Sequence, residues 1–299
     1  MREYDLVIIG GGAAGILCAI EGKKRSIESI LIIEKDPDLG GMLSNSDYNI
    51  GNEIYITGKE YKEKILKELE RYNVDINLNT MVLNIEENNE VVCTSSQRGI
   101  EKIKGKNVII ANGGKEKSRN SITAVGDRVS GILTIGMAKK IFAMEDMVPG
   151  KNILIVGDAT IYMIEQELKK YNINVVGILC EDGNADRVKS LGLKYNIYEG
   201  YKLVGIYGDG RVSKVSIERD NHIKEIFCDT LIFSYPMLSD GVVAMRSNIV
   251  LNPETTGSKV DENYKTSRDN IYACGNGIYI HNDIYEIEKE CKELIENLK

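Results

Sequence analysis

Three glycines and one glutamate carry the clearest chemistry in this chain. Gly10, Gly12 and Gly15 stand in the spacing Gly-x-Gly-x-x-Gly, and Glu34 follows 24 positions after the first of them. The glycines come directly after an apolar run, residues 4–9, and open a stretch with helical character. That order is the dinucleotide fingerprint in its required context. The first glycine permits a tight turn, the second lets a pyrophosphate approach the backbone, and the third lets helix and strand pack closely. The helix start offers amide donors and a positive dipole end to the phosphates. Glu34, at the end of the next strand, is placed to accept hydrogen bonds from the adenosine ribose hydroxyls.

A second turn of the same kind is damaged. After the apolar run 152–156 the chain reads Gly157-Asp158-Ala159-Thr160-Ile161-Tyr162, and of the three glycines only the first is kept. Ala159 adds a methyl where a pyrophosphate would approach. Tyr162 puts a ring where the helix would pack closely. Asp158 adds a negative charge that repels phosphate. Glu181 keeps the ribose-acid position and reads as a solvated carboxylate at a strand end. NAD(P)H is therefore expected to bind weakly or not at all at this turn.

The cysteines are Cys18, Cys93, Cys180, Cys228, Cys274 and Cys291, with no Cys-x-x-Cys among them. No dithiol pair or zinc knuckle is legible locally, and thiol exchange, which needs a thiolate and a partner thiol, is not expected. Cys18 and Cys274 read as small buried residues. No metal site is expected. His222 follows Asp220-Asn221 in a turn and reads as solvated.

The elements that must position these groups alternate. Residues 4–9, 13–24 and 29–34 read as strand, helix, strand, the size of one parallel crossover. Residues 58–72 read as an amphipathic helix, 74–95 as strands with a turn at 87–89, and 107–111 as another buried strand. A helix is expected at 134–145, followed by the break Pro149-Gly150. A second unit then repeats the pattern, with strand 152–157, helix 161–171 and strand 174–180. A hairpin turns at Gly208-Asp209-Gly210 within 201–228. Buried strands follow at 230–235 and 271–275, and a final amphipathic helix at 283–298.

With 299 residues the chain is long enough for two domains. Its net charge of −7 and the absence of Trp argue against a nucleic-acid partner, whose phosphates demand clustered Lys and Arg. The apolar run 6–20 is broken by glycines and is too short to span a bilayer. Without a secretory pattern, a soluble cytoplasmic protein is expected. Monomer and oligomer both stay open.

Lys35 to Gly41 beyond Glu34, and Thr266 to Asn276 near the C-terminus, make the chain resemble the two-dinucleotide-domain flavoproteins, the superfamily of glutathione and thioredoxin reductases. The resemblance implies an α/β fold of two Rossmann-like domains, three-layer ββα in type. An FAD-binding domain at 1–115 and 230–299 would carry an inserted NAD(P)-binding-like domain at 116–229. It implies FAD contacts at Gly10, Gly12, Ala13, Gly15, Glu34, Lys35, Gly41, Met42, Val82, Ala111, Gly113, Gly275 and Asn276. Asn276 replaces the superfamily's Asp, yet an amide still hydrogen-bonds a ribityl hydroxyl. His281 would donate to the N1–C2=O edge of the flavin, where negative charge develops on reduction. The superfamily's cysteine pairs are missing from both their usual places.

A closer likeness is to flavoprotein subunits of anaerobic bacteria that work with glycerol-3-phosphate-dehydrogenase-like proteins. It rests on residues 4–20, 39–45, 78–85, 147–157 and 272–283. It implies an FAD-dependent oxidoreductase that passes electrons between a dehydrogenase-type partner and a small Cys-rich redox protein. A non-catalytic FAD-binding subunit, structural or regulatory, and a free-standing NAD(P)H-dependent flavin oxidoreductase are the alternatives.

Overall fold

The computed structural model describes residues 2–117, 124–143, 147–190, 192 and 195–298. It divides into two compact units, residues 1–115 with 238–299, and residues 116–237.

The first unit begins with strand β1 (Arg2–Ile9), helix α1 (Ala13–Lys24) and strand β2 (Ile30–Ile33). Helix α2 (Gly58–Leu69) and strands β3 (Asp75–Asn77), β4 (Thr80–Ile85), β5 (Glu90–Ser95) and β6 (Gly99–Ile110) follow. They form one sheet in the order β3-β2-β1-β6-β5-β4. Its β3, β2, β1 and β6 pair in parallel, while β4, β5 and β6 form an antiparallel meander. The two-residue period of a strand decides what each face buries. Leu6 and Ile8 of β1 point into one core with the residues of α1, and Val7 and Ile9 point into another with Val82, Ile85 and Val91 of the meander. Because both faces are covered, β1 and β2 are apolar almost throughout rather than alternating. Helices on one side and meander strands on the other make the three-layer arrangement.

The second unit holds β8 (Val125–Gly126), β9 (Ile132–Thr134) and helix α3 (Ile135–Ala143), the short strand β7 (Gly114–Lys115) having ended the first. Of the helix expected at 134–145, residues 144 and 145 lie outside the described residues. Next come β10 (Asn152–Val156), α4 (Glu165–Lys170), β11 (Asn174–Cys180), α5 (Ala185–Ser190), β12 (Ile197–Glu199), β13 (Lys202–Asp209), β14 (Arg211–Arg219), β15 (His222–Phe227) and β16 (Thr230–Phe233). A parallel sheet runs β12-β11-β10-β16-β9, and a second sheet runs β15-β14-β13-β8. They share a core in which Leu154, Val156, Leu231 and Phe233 meet Ile206, Val215 and Ile217. The sequence reading places Thr230–Phe233 in the first domain. Its pairing corrects this, because β16 lies between β10 and β9 in the second unit.

The chain returns to the first unit through β17 (Leu238–Ser239), which pairs with β7, and α6 (Val242–Arg246). Strand β18 (Ile271–Ala273) extends the first sheet beside β6, and α7 (Ile284–Asn297) packs into the same core as α1. The α/β architecture of two Rossmann-like units expected from the sequence is the one the chain adopts.

Candidate functional site

The turn between β1 and α1 is built as its glycines require. Gly10 has φ +108°, and a Cβ there would lie 2.4 Å from the carbonyl oxygen of Ala111. A Cβ on Gly15 would strike the carbonyl oxygen of Gly10 at 1.9 Å. By contrast, Gly12 and Gly113 face open space. The start of α1 has no side-chain cap and no acidic residue in its first turn. Helices α2 and α7 are both capped, by Thr57 in a capping box and by Asp283. The first amides of α1 are thus left for an external acceptor, as at an anion-binding helix end.

Glu34 is 5% exposed and lies against this turn. Its Oε2 accepts from Gly11 N at 2.6 Å and its Oε1 from Asp36 N at 2.8 Å. A carboxylate oxygen has a second lone pair, so hydroxyl groups of a ribose can still be accepted. Lys35 is exposed and pairs with Asp36. Gly41 approaches Gly12, its Cβ position 3.3 Å from the Gly12 Cα, and Met42 beside it is exposed. Ala111 is buried behind Gly10, and Gly113 follows Asn112, whose buried Oδ1 has no partner among the described groups. The structure therefore brings Gly10, Gly12, Ala13, Gly15, Glu34, Gly41, Ala111 and Gly113 to one end of the parallel strands, where ligands of open α/β sheets bind. Val82 lies two residues after Thr80, whose amide donates to Glu34 O at 2.9 Å. Its side chain packs in the core with Ile9 and Ile33. An uncapped helix start, open space at Gly12 and Gly113, and an orphaned amide oxygen suit a dinucleotide.

A second cluster surrounds the turn after β18. Gly275 N and His281 both donate to the buried carboxylate of Glu290, with His281 Nε2 at 2.8 Å from Oε2. Asn276 Oδ1 accepts from His281 N at 3.0 Å and meets His281 Nδ1 at 3.2 Å. The His281 and Glu290 side chains are 9% and 8% exposed. Burial pulls the His281 pKa down, but the bond and charge of Glu290 and the charge of Glu286 outweigh it and raise it above the ordinary histidine value. Sequence reasoning assigns His281 to a cofactor edge and misses Glu290, which in the run Glu286 to Glu293 reads as one more solvated acid.

The turn after β10 is different. Gly157 keeps a positive φ of +92°. The amide of Ala159 donates to Ser234 O at 3.0 Å, and the amide of Thr160 to Ser234 Oγ at 2.9 Å. No long helix follows. A 3-10 turn at Ile161–Met163 leads into the six-residue α4. Asp158 is 8% exposed, and its Oδ2 has no partner among the described groups. Tyr162 is 44% exposed and Glu181 is exposed. The donors a pyrophosphate would use are occupied by the protein itself, and an acid stands beside them. This turn does not fit a dinucleotide. Ser234, the residue that fills it, carries no local sequence signal.

Burial pushes the thiols of Cys93 and Cys180 up to about 11, and that of Cys228 up to about 12. Such groups are poor nucleophiles. Cys18 and Cys274 are buried, as expected.

Comparison with known proteins gives these likenesses. Residues 4–176 match the family described as Pyridine nucleotide-disulphide oxidoreductase. A ferredoxin–NADP reductase of Malacoplasma penetrans (strain HF-2) is 24% identical over 321 residues, covering 100% of this chain and 96% of that one. Thioredoxin reductase of T. acidophilum superposes with a TM-score of 0.76 at 18% identity, covering 100% of this chain and 98% of that one. L-proline dehydrogenase from P. horikoshii superposes with a TM-score of 0.74 at 21% identity. That match covers 98% of this chain and 54% of the dehydrogenase chain, so the present chain spans about half its length.

Proposed function

The chain belongs to the pyridine nucleotide-disulphide oxidoreductase family, whose members bind FAD and use NAD(P)H, and on that premise we propose that it is an FAD-dependent electron-transferring flavoprotein that exchanges electrons with protein partners rather than with NAD(P)H. One observation carries the reading. The two dinucleotide turns have diverged, the first left open and the second closed by Ser234 on the amides of Ala159 and Thr160.

Bound FAD supplies reversible electron storage in its ring. The chain's own residues bind and orient it. The first amides of α1 and the bare backbone at Gly12 would receive the pyrophosphate, Glu34 would take the ribose, and the Asn276 amide would meet the ribityl chain. Residues 1–115 and 238–299 form the FAD domain in this reading, and 116–237 a second domain that keeps its packing without a nucleotide. The partners proposed are a dehydrogenase-type protein and a small redox protein, as for the flavoprotein subunits of the glycerol-3-phosphate-dehydrogenase-like systems. Dithiol chemistry of the thioredoxin-reductase kind is not part of the proposal, since Cys93, Cys180 and Cys228 are buried with raised pKa values and the clustered Cys18, Cys274 and Cys291 are fully buried, out of reach of a substrate. Among the described residues no helix is long and apolar enough to cross a membrane, and a cytoplasmic place belongs to the proposal.

The second reading is a free-standing NAD(P)H-dependent flavin reductase. It is favoured by the ferredoxin–NADP reductase that the chain matches over nearly its whole length. Anaerobic reduction distinguishes the two. FAD-loaded protein is offered NADH, NADPH and, separately, a reduced low-potential iron–sulfur protein, while the visible flavin band is followed. The relay reading expects bleaching with the iron–sulfur protein only. Rapid bleaching with either nicotinamide would establish the second reading.

A further inference from the structure

Three of the six cysteines, far apart in sequence, meet at one point. Cys18 comes from α1, Cys274 from the residue before Gly275, and Cys291 from α7, and all three are 0% exposed. Their sulfur atoms lie within 4.8 Å of one another, with Cys18 and Cys274 at 3.6 Å. Cys291 Sγ also contacts the carbonyl oxygen of Ala14 at 3.4 Å. Sulfurs bound to one metal at about 2.3 Å in a trigonal plane lie about 4.0 Å apart. The cluster therefore needs only small side-chain adjustments to surround an ion.

We propose that Cys18, Cys274 and Cys291 form a buried three-sulfur site for a soft monovalent metal ion of the Cu(I) class. Structural zinc takes four ligands. Among the described residues no fourth His, Cys, Asp or Glu joins the group, and all three cysteines are sealed from bulk solvent. Sulfur ligands without nitrogen or carboxylate partners select soft ions. The ion forms metal–sulfur bonds to the three cysteines as their S–H protons leave to solvent, since thiolates rather than thiols ligate metals. The bound ion would join α1 to α7 just beneath the turn that carries Gly275 and Asn276. This site is independent of the proposed electron route.

The test is an anaerobic Cu(I) titration of the FAD-loaded full chain against a weak coloured chelator. Wild-type protein is expected to hold one equivalent, and its melting temperature to rise on loading, because the ion binds the folded state alone. Cys18→Ala, Cys274→Ala and Cys291→Ala are each expected to lose that equivalent, while Cys93→Ala and Cys228→Ala keep it. X-ray absorption at the copper edge of the wild-type protein needs no variant, and three sulfurs at about 2.3 Å are expected. Failure of the wild type to hold copper, equal binding by all the variants, or nitrogen and oxygen neighbours around the metal would each overturn the proposal. If the alanine variants do not fold, the absorption spectrum decides.

Discussion

His281 is held on both sides of its ring by acceptor oxygens, Asn276 Oδ1 at Nδ1 and Glu290 Oε2 at Nε2. Both ring nitrogens can donate only in the imidazolium, so this arrangement stabilises the protonated form. Glu286, Glu293 and Lys289 of α7, with Tyr264 and Tyr279, line the cleft outside it. The pKa is raised in the fold, so the stabilisation is complete below the ordinary histidine value and is lost as pH rises through the folded value. The melting temperature of the wild type should therefore fall between pH 6 and pH 9 more than that of His281→Gln, as followed by calorimetry. Parallel curves for the two proteins would refute the pairing. The glycine spacing and Glu34 were legible because their partners are local or follow a known crossover. Glu290, Ser234 and the meeting of three cysteines were not, because each depends on segments brought together only by the completed fold. Cys18 and Cys274 are 256 positions apart.

At the scale of elements, the two strand–turn–helix units began from similar apolar strands and ended differently. The first continues into the 12-residue α1, the second into a 3-10 turn and the six-residue α4. The sequence shows the lost glycines but not their consequence, a turn whose amides are met by Ser234. Strand β16 is misassigned from sequence for a related reason: an apolar strand names no partner, and only pairing with β9 and β10 places it. Long-range ties between elements are likewise silent in sequence. Arg268 donates to the carbonyls of Ile85 at 2.7 Å, Glu86 at 2.6 Å and Ser247 at 2.9 Å, joining the end of β4 to the segment after α6. Arg268→Ala should destabilise the protein by about 3 kcal/mol, since it strands partly buried acceptors. Arg268→Lys should restore only part of this, because an ammonium cannot reproduce the fork. Chemical denaturation reads both, and a loss below about 0.5 kcal/mol for Arg268→Ala would show that the tie is not structural.

At the scale of the whole molecule, each unit has its own buried core, so the second can keep its fold whether or not a nucleotide binds there. Its apolar sheet packing, rather than ligand contacts, holds it together. The proposed function accordingly rests on an asymmetry between one open dinucleotide turn and one that the protein closes with its own hydrogen bonds. Calorimetric titration of the FAD-free protein with FAD, and of the FAD-loaded protein with NADPH and NADH, measures that asymmetry directly. One FAD bound per chain, with no heat of binding from either nicotinamide at millimolar concentration, is the expected result. Saturable micromolar binding of NADPH or NADH to the loaded protein would contradict it.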